Sequence, residues 1–532
     1  MSTPARAAWL LGPWADRALW LLVSAAAVLT VHWPLLREPL RHYPDVVTAY
    51  PLAELVDPGR YAGDPIREMS LRWGFPPLYK ALLLPLLLLW PVLPAMKAAA
   101  VLGSLTLPQL LLSLPGRAAL RFGAAGAALG LALTMDSLHG FFPRAVGLLV
   151  TAAFLVALLR DRPLLAGAIA AGSTLAYPMV FPPSAAALVL LGAWRWRQGR
   201  WSPRRLAALA LALALSLTFS LWRSGLMAAE VGRACTAETC PDMPELGMAG
   251  NYTHSAARGS LLLDNVFNLG EHTPAYPWVL APLLLGALVA AARGRLGAAW
   301  AVLGGSALAY LGISALTALS PMPTGFASRA FVFALPLVLA WGFGQALDLA
   351  VARARGALAL ALLPAALGVA TLDLHDISDD HGPWAPVLAA VEALPEGALL
   401  GGHPATLDHV PLLTGRRVVV IAEVFNPGAS TWWRAWKART DAALDATYAP
   451  RPEQVRAWCA EWGVSHLLVE GDRFDPELAT VPRKFDWEPM ASRVRAMAAR
   501  HDAALAAVAR PGEVCLLPCQ GAWEGSCWLV VP

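Results

Sequence analysis

The stretch from Arg41 to Lys80, RHYPDVVTAYPLAELVDPGRYAGDPIREMSLRWGFPPLYK, holds five carboxylates: Asp45, Glu54, Asp57, Asp64 and Glu68. Interleaved with them are the rings of Tyr43, Tyr50, Tyr61, Trp73, Phe75 and Tyr79. Aromatic rings favour the membrane–water interface, because the ring is apolar and its edge polar. A segment this mixed is expected to lie along a membrane surface, a setting that suits a site between a lipid-borne and a water-borne substrate. Asp45 falls soon after the first apolar run and directly follows Pro44. A carboxylate there could act as general base toward a hydroxyl; the simpler role for any single acid of the loop is solvation.

Asp136 and His139 stand at the outer end of an apolar segment. A charged Asp near bilayer depth costs about 2.5–3.5 kcal/mol on insertion scales, so a polar cavity is expected around it. There it could touch a metal ion or sugar hydroxyls, or pair with Arg144. Tyr177–Pro178 and Pro182–Pro183 punctuate another helix end and could shape a cavity wall or merely kink the chain. His403, Asp408, His409 and Glu423 are metal-like by type, but their spacing fits no standard zinc pattern. None of the six cysteines forms a CxxC pair. Cys235 and Cys240 bracket a short polar stretch that suits a disulfide, and Cys515, Cys519 and Cys527 could supply another.

These residues need positioning by elements, and the composition says which kind. The 532 residues are 57% hydrophobic and only 15% charged, where a water-soluble domain carries about 25% charge. Lipid is the solvent that such a chain requires. Apolar segments run near 15–34, 78–95, 97–114, 122–139, 144–160, 163–181, 184–196, 204–222, 276–293, 296–318, 328–347 and 355–371. Long polar connections fall at 35–77 and 223–275. No cleavable signal peptide is evident, and the first run reads as a retained helix.

Short loops rich in Lys and Arg stay cytoplasmic. They occur at Trp194–Arg205, 160–162, 293–295 and 352–355. Twelve crossings would return the C-terminus to the cytoplasm, whereas eleven satisfy every basic loop, including Arg117 and Arg121. Segment 78–95 is the one expected not to cross, because Pro85, Pro91 and Pro94 interrupt it. The expected fold is thus a polytopic α-helical membrane domain over 1–371, with about eleven crossings and outer loops 35–77 and 223–275. Residues 372–532 follow as a soluble extracytoplasmic α/β domain. Its strand-like runs are 398–400, 418–422, 465–470, 514–517 and 527–531, alternating with helical stretches near 430–447, 452–463 and 488–509. It lacks a glycine-rich phosphate loop. The net charge of +4 is small and the arginines lie between apolar segments, which argues against nucleic-acid binding.

An acid in the first outer loop, a many-helix membrane domain and an outer tail resemble the GT-C superfamily of glycosyltransferases. The runs DPGRYAGDP (57–65), HGFFPRA (139–145), STLAYPMVF (173–181) and TGFASRAFVFALP (324–336) resemble a bacterial group of GT-C-like proteins. So do HPATLDHVPLLTGRRVVVIAEV (403–424) and WGVSHLLVEG (462–471) in the tail. The resemblance implies an inverting sugar transfer at the outer face of the bacterial plasma membrane, from a polyprenyl-phosphate sugar to a lipid or glycan acceptor of the cell envelope. Asp45 would then be catalytic. Arg144 and Arg329, each opening an apolar run from an outer loop, would bind the donor phosphate; snorkelling toward headgroups is their simpler role. Asp64, Asp136, His139 and Tyr177 would bind substrate or support the site. Many relatives carry two acids where Asp45 stands alone, which argues against a two-carboxylate metal site. Mg2+, Mn2+ or no cofactor at all stays open.

Three other functions compete. A lipid-linked glycan ligase or polymerase would use outer-loop arginines without an early essential Asp. A transporter or flippase usually shows an internal hydropathy repeat, and none is visible. A non-catalytic scaffold would need only the tail.

Overall fold

The computed structural model describes residues 3–62, 64–232, 240, 275–319, 329–351, 359–372, 378–422, 429–480, 490–523 and 525–530; the side chains of residues 3–13, 45, 65, 136–137, 314, 316–319 and 329 are outside that description. The membrane half is built of helices α1 (Thr3–Arg37), α2 (Pro77–Leu87), α3 (Val92–Leu111), α4 (Ala118–Thr134), α5 (Pro143–Leu159), α6 (Pro163–Ala176), α7 (Phe181–Arg197), α8 (Pro203–Val231), α9 (Tyr276–Ala292), α10 (Ala299–Leu319), α11 (Ala334–Ala350) and α12 (Leu363–Thr371).

Helix α4, AALRFGAAGAALGLALT, is buried along nearly its whole length, with α3, α11 and α12 packed around it. Small residues make this possible, since apolar surface alone does not drive helices together in lipid and close backbone approach must do so. A Cβ at Gly126 would lie 1.8 Å from the Ala361 carbonyl oxygen, and one at Gly342 would lie 2.6 Å from Ala287 Cα. By contrast α8 buries only Leu209, Ser216 and Val231. Leu211, Leu215, Leu221 and Trp222 are each at least 60% exposed. An apolar face of that length belongs against lipid.

Among the described residues, three helices are long and apolar enough to cross a membrane alone: Trp14–Arg37, Pro203–Val231 and Ala330–Ala350. Helices α2 and α3 together would make a fourth, bent by 110°. Among the same described residues, seven further apolar helices are of 10–17 residues, such as Ala118–Thr134 and Pro143–Leu159. The expected segment 78–95 is not one element. Pro85 sits inside α2, and the break falls at Leu88–Pro91 instead, after which Val92 already begins α3. With 11 residues, α2 is only about 16 Å long. Segment 163–181 also ends early, at Ala176, because Tyr177 is extended (φ −154°) and Phe181 opens the next helix.

The connection from α1 to α2, expected as the first outer loop, is structured over its described residues. It opens with strand β1 (Arg41–His42) and continues as a 12-residue 3-10 helix, Pro44–Leu55. Such a long 3-10 run is uncommon; Pro44 and Pro51 remove amide donors that an α-helix would use.

The tail carries β2 (Asp379–Asp380), helix α13 (Ala385–Glu392), β3 (Leu399–Gly402), β4 (Arg417–Val418), α14 (Ser430–Thr447), α15 (Pro452–Trp462), β5 (His466–Glu470), α16 (Met490–Ala498), β6 (Glu513–Pro518) and β7 (Ser526–Leu529). Its five-stranded sheet has the order β4-β3-β5-β6-β7, parallel at β4-β3-β5 and antiparallel beyond. The strand expected over 418–422 is shorter, Arg417–Val418, and the helix expected over 488–509 ends at Ala498. Disulfides join Cys515 to Cys527 and Cys459 to Cys519, so Cys459 is a partner the sequence did not suggest. Cys240 is also oxidised, while Cys235 lies outside the described residues.

Candidate functional site

At the C-terminal end of α4 the chain leaves the helix at Met135, makes a short helical turn over Asp136–His139, and enters α5 at Pro143. Phe141 within this turn has φ 47°. A bulky residue in the left-handed region is strained, and such strain persists only where surroundings hold it. Here the Tyr79 hydroxyl donates to the Phe141 carbonyl at 2.9 Å, and the two rings stack at 6.1 Å.

Around this turn the rings form a continuous stack. His139 lies 5.2 Å from His32 of α1 and 5.9 Å from Tyr43, centroid to centroid. Tyr43 also meets Phe142 at 6.5 Å, and the Arg144 guanidinium sits 5.6 Å from the Phe142 ring. His139 is buried, with Nε2 3.0 Å from the Leu133 carbonyl. The start of the first loop is thereby packed against the Asp136–Arg144 turn. Asp45 follows Tyr43 by two positions, as the second residue of the Pro44–Leu55 helix. The side chains of Asp45 and Asp136 are outside the described residues, and so is their expected pairing with anything, Arg144 included.

Tyr177 and Arg329 belong to a neighbouring group. The Tyr177 ring meets Phe333 edge-on at 5.6 Å and packs on Gly147, one helical turn into α5 from Arg144. Phe333 directly follows the short helix Arg329–Val332. Tyr177 and Phe333, the latter four residues after Arg329, thus pack beside the first turns of α5 that follow Arg144, with the Arg329 side chain itself outside the described residues.

Asp64 is placed elsewhere. Its carboxylate caps the helical turn Pro65–Met69 through Ile66 N at 3.1 Å, accepts from the Tyr50 hydroxyl at 3.3 Å and pairs with Arg439 of the tail at 3.4 Å. Burial raises its carboxyl above the usual value, while the Arg439 charge pulls it back down. Asp64 therefore joins the loop to the tail and does not meet the His139–Arg144 stack. Glu54 plays a related part. It accepts from Gly59 N (3.0 Å) and Tyr61 N (2.6 Å) and pairs with Arg67 at 3.1 Å, both side chains under 10% exposed. Arg67 donates in turn to the Tyr61 carbonyl. The DPGRYAGDP stretch is thus wrapped around one buried ion pair. Tyr61 then donates to the Pro411 carbonyl at 3.1 Å, and Arg417 to the Ala62 carbonyl at 3.3 Å.

The sharpest local cluster was missed in the sequence. His42, His381 and His409 each offer a ring nitrogen within 4.8 Å of the other two. Strand pairing positions them: β1 runs antiparallel to β2, with His42 opposite Asp379 and Arg41 opposite Asp380. Arg41 ties the junction by ion pairs to Glu38 and to Asp380 (2.8 Å) and by a bond to Ser378 Oγ (3.1 Å). Burial holds the imidazoles neutral, lowering His42 to about 4 and His381 to about 3, with His409 also well below its usual value. Of the four metal-like tail residues, only His409 joins the cluster. His403 instead caps the turn Pro404–Leu407 through Ala405 N, and Glu423 lies outside the described residues. The signal available was the type of His42 and His381; their distance along the chain hid it.

No protein-family model and no curated protein matches the chain. Among solved structures it is similar to the Archaeoglobus fulgidus oligosaccharyltransferase in complex with Zn and sulfate, at 11% identity and TM-score 0.46, over 90% of this chain and 70% of that one. It is similar to the archaeal oligosaccharyltransferase AglB from the same organism, in complex with an inhibitory peptide and a dolichol-phosphate, at 12% identity and TM-score 0.46, over 90% and 72%. At that distance the chemistry has to be argued from this chain's own residues.

Proposed function

We propose that this chain is a membrane glycosyltransferase that moves a sugar from a polyprenyl-phosphate donor to a cell-envelope acceptor at the outer face of a bacterial plasma membrane, with inversion. In this reading the tail lies on that same extracytoplasmic side, as eleven crossings would require. The observation that carries the reading is the His139–Tyr43–Phe142–Arg144 chain of ring contacts, which packs the acidic first loop against a helix end bearing an arginine.

In the transfer, Asp45 takes the proton of the acceptor hydroxyl as its oxygen bonds to the anomeric carbon. The bond from that carbon to the donor phosphate oxygen breaks on the opposite side, which inverts the centre. The polyprenyl phosphate leaves with the bonding pair, and Arg144 and Arg329 hold the growing negative charge through paired N–H donors. Asp136 and His139 would meet sugar hydroxyls or a divalent cation, and Tyr177 would wall the sugar. Asp64 supports the site by fixing the loop.

The test is Asp45→Asn, assayed with a labelled polyprenyl-phosphate sugar and envelope extract. Loss of a general base predicts a rate lower by about 10²- to 10⁴-fold, with unchanged tryptophan fluorescence. A folded Asp45→Asn protein that transfers at the parental rate would eliminate the assignment.

A further inference from the structure

We propose that His42, His381 and His409 form a zinc site that pins the first outer loop to the tail. It is separate from the transfer chemistry and stands or falls without it.

Three observations converge. The first is proximity: three imidazole nitrogens lie within 4.8 Å of one another. Tetrahedral zinc with Zn–N of about 2.0–2.1 Å needs ligand nitrogens roughly 3.3 Å apart. The rings therefore have to close by up to about 1.5 Å, a change that side-chain rotation supplies. The second is unmet polarity. Nε2 of His42, Nε2 of His381 and Nδ1 of His409 are all buried without a hydrogen-bond partner. A buried nitrogen left unpaired costs about 1–3 kcal/mol, and three such atoms on three neighbouring rings make a ready donor set. The third is tautomer control. His42 Nδ1 lies 2.9 Å from the Tyr43 carbonyl, to which it donates as Nδ1–H. That bond leaves the lone pair on Nε2, the arrangement in which ligand histidines are held by their second hydrogen bond.

The donor set selects the metal. Three neutral imidazoles without thiolate or carboxylate suit a borderline divalent ion and not Mg2+ or Ca2+, which take oxygen ligands. His381 and His409 are only partly buried, so water can complete the fourth position. The ligands come from β1, from the residue after β2, and from the turn before Val410–Thr414. Binding therefore spans the loop and the tail, and its free energy holds the two together.

The experiment uses the full chain in detergent, stripped of metal and dialysed against ZnCl2, with bound zinc counted by mass spectrometry. The expected result is about one zinc per chain, retained in His466→Asn and lost in His381→Asn and His409→Asn. Thermal unfolding should fall in temperature on adding a chelator to the parent but not to those two variants. Co2+ in place of zinc should give the intense visible absorption of a tetrahedral site. Should the variants fail to fold, the parent's stoichiometry and its Co2+ spectrum decide. Less than a tenth of an equivalent of zinc, an octahedral Co2+ spectrum, or zinc kept by both folded variants would each overturn the site.

Discussion

Glu54→Ala is the sharpest test of how the first loop is held. The carboxylate accepts two backbone N–H bonds and pairs with Arg67, and both side chains are nearly excluded from water. Removing it leaves the amides of Gly59 and Tyr61 unmet, and leaves Arg67 the Tyr61 carbonyl and, as its one remaining carboxylate among the described residues, the exposed Glu68 at 3.6 Å. Breaking a buried pair from one side costs about 3–5 kcal/mol, most of it from the charge left behind. That energy should appear locally, because the pair closes a loop and not a core. The Arg60–Tyr61 peptide is the readout: Tyr61 is 2% exposed and its N–H is held by Glu54, while Arg60 faces solvent. Trypsin cleavage there tracks the open population, and each 1.4 kcal/mol is tenfold. Cleavage in detergent should therefore rise by about 10²- to 10³-fold. The double variant Glu54→Leu/Arg67→Met should recover much of the protection, since no buried charge is stranded. Parental cleavage in Glu54→Ala, or a double variant worse than the single, would refute the reasoning.

Tyr79→Phe removes the hydroxyl that holds the strained Phe141 carbonyl; it should cost about 1–3 kcal/mol and lower transfer more than it lowers the unfolding temperature, both measurable on one preparation. Cys459→Ser opens a covalent loop of 60 residues and should destabilise the tail by about 4 kcal/mol on the chain-entropy relation, read by denaturant unfolding of tail tryptophans with and without reductant. Asp64 gives a pH signature. Its carboxyl is raised by burial despite Arg439, so the native state holds that proton more tightly than the unfolded chain does. Its contribution is full below 3.8 and lost as pH rises through the raised native value. Asp64→Asn should flatten unfolding temperature against pH in that window, and a curve parallel to the parent's would reject this.

The tail was well legible from its sequence. Helix α14 has the bounds 430–447 read from amphipathic spacing, and α15 differs by one residue at its end. Periodicity reports burial on one face, and these helices have one. Membrane helices carry no such stripe, since lipid and protein interior are equally apolar. Boundaries there had to come from proline, and Pro85 misled because a helix tolerates it where Pro91 ends the break. The site was legible only in part. Helix-end positions pointed to His139, Arg144 and Tyr177, and packing gathers these at neighbouring helix ends. Asp64 read as a surface carboxylate because Arg439, its partner, lies in another domain. The histidine cluster was hidden for the same reason: no local spacing encodes a contact between residues 42 and 409.

The pairing of β1 with β2 also sets a schedule. Arg41 is synthesised early, and its partner Asp380 is 339 residues further along the chain. At about 5–20 residues per second, the ribosome supplies that partner on the order of tens of seconds later. During this interval the first loop has its own ion pair but none of its tail contacts. A nascent chain thus lacks the β1–β2 pairing until its last third has been made, and a product truncated before Asp379 never forms it.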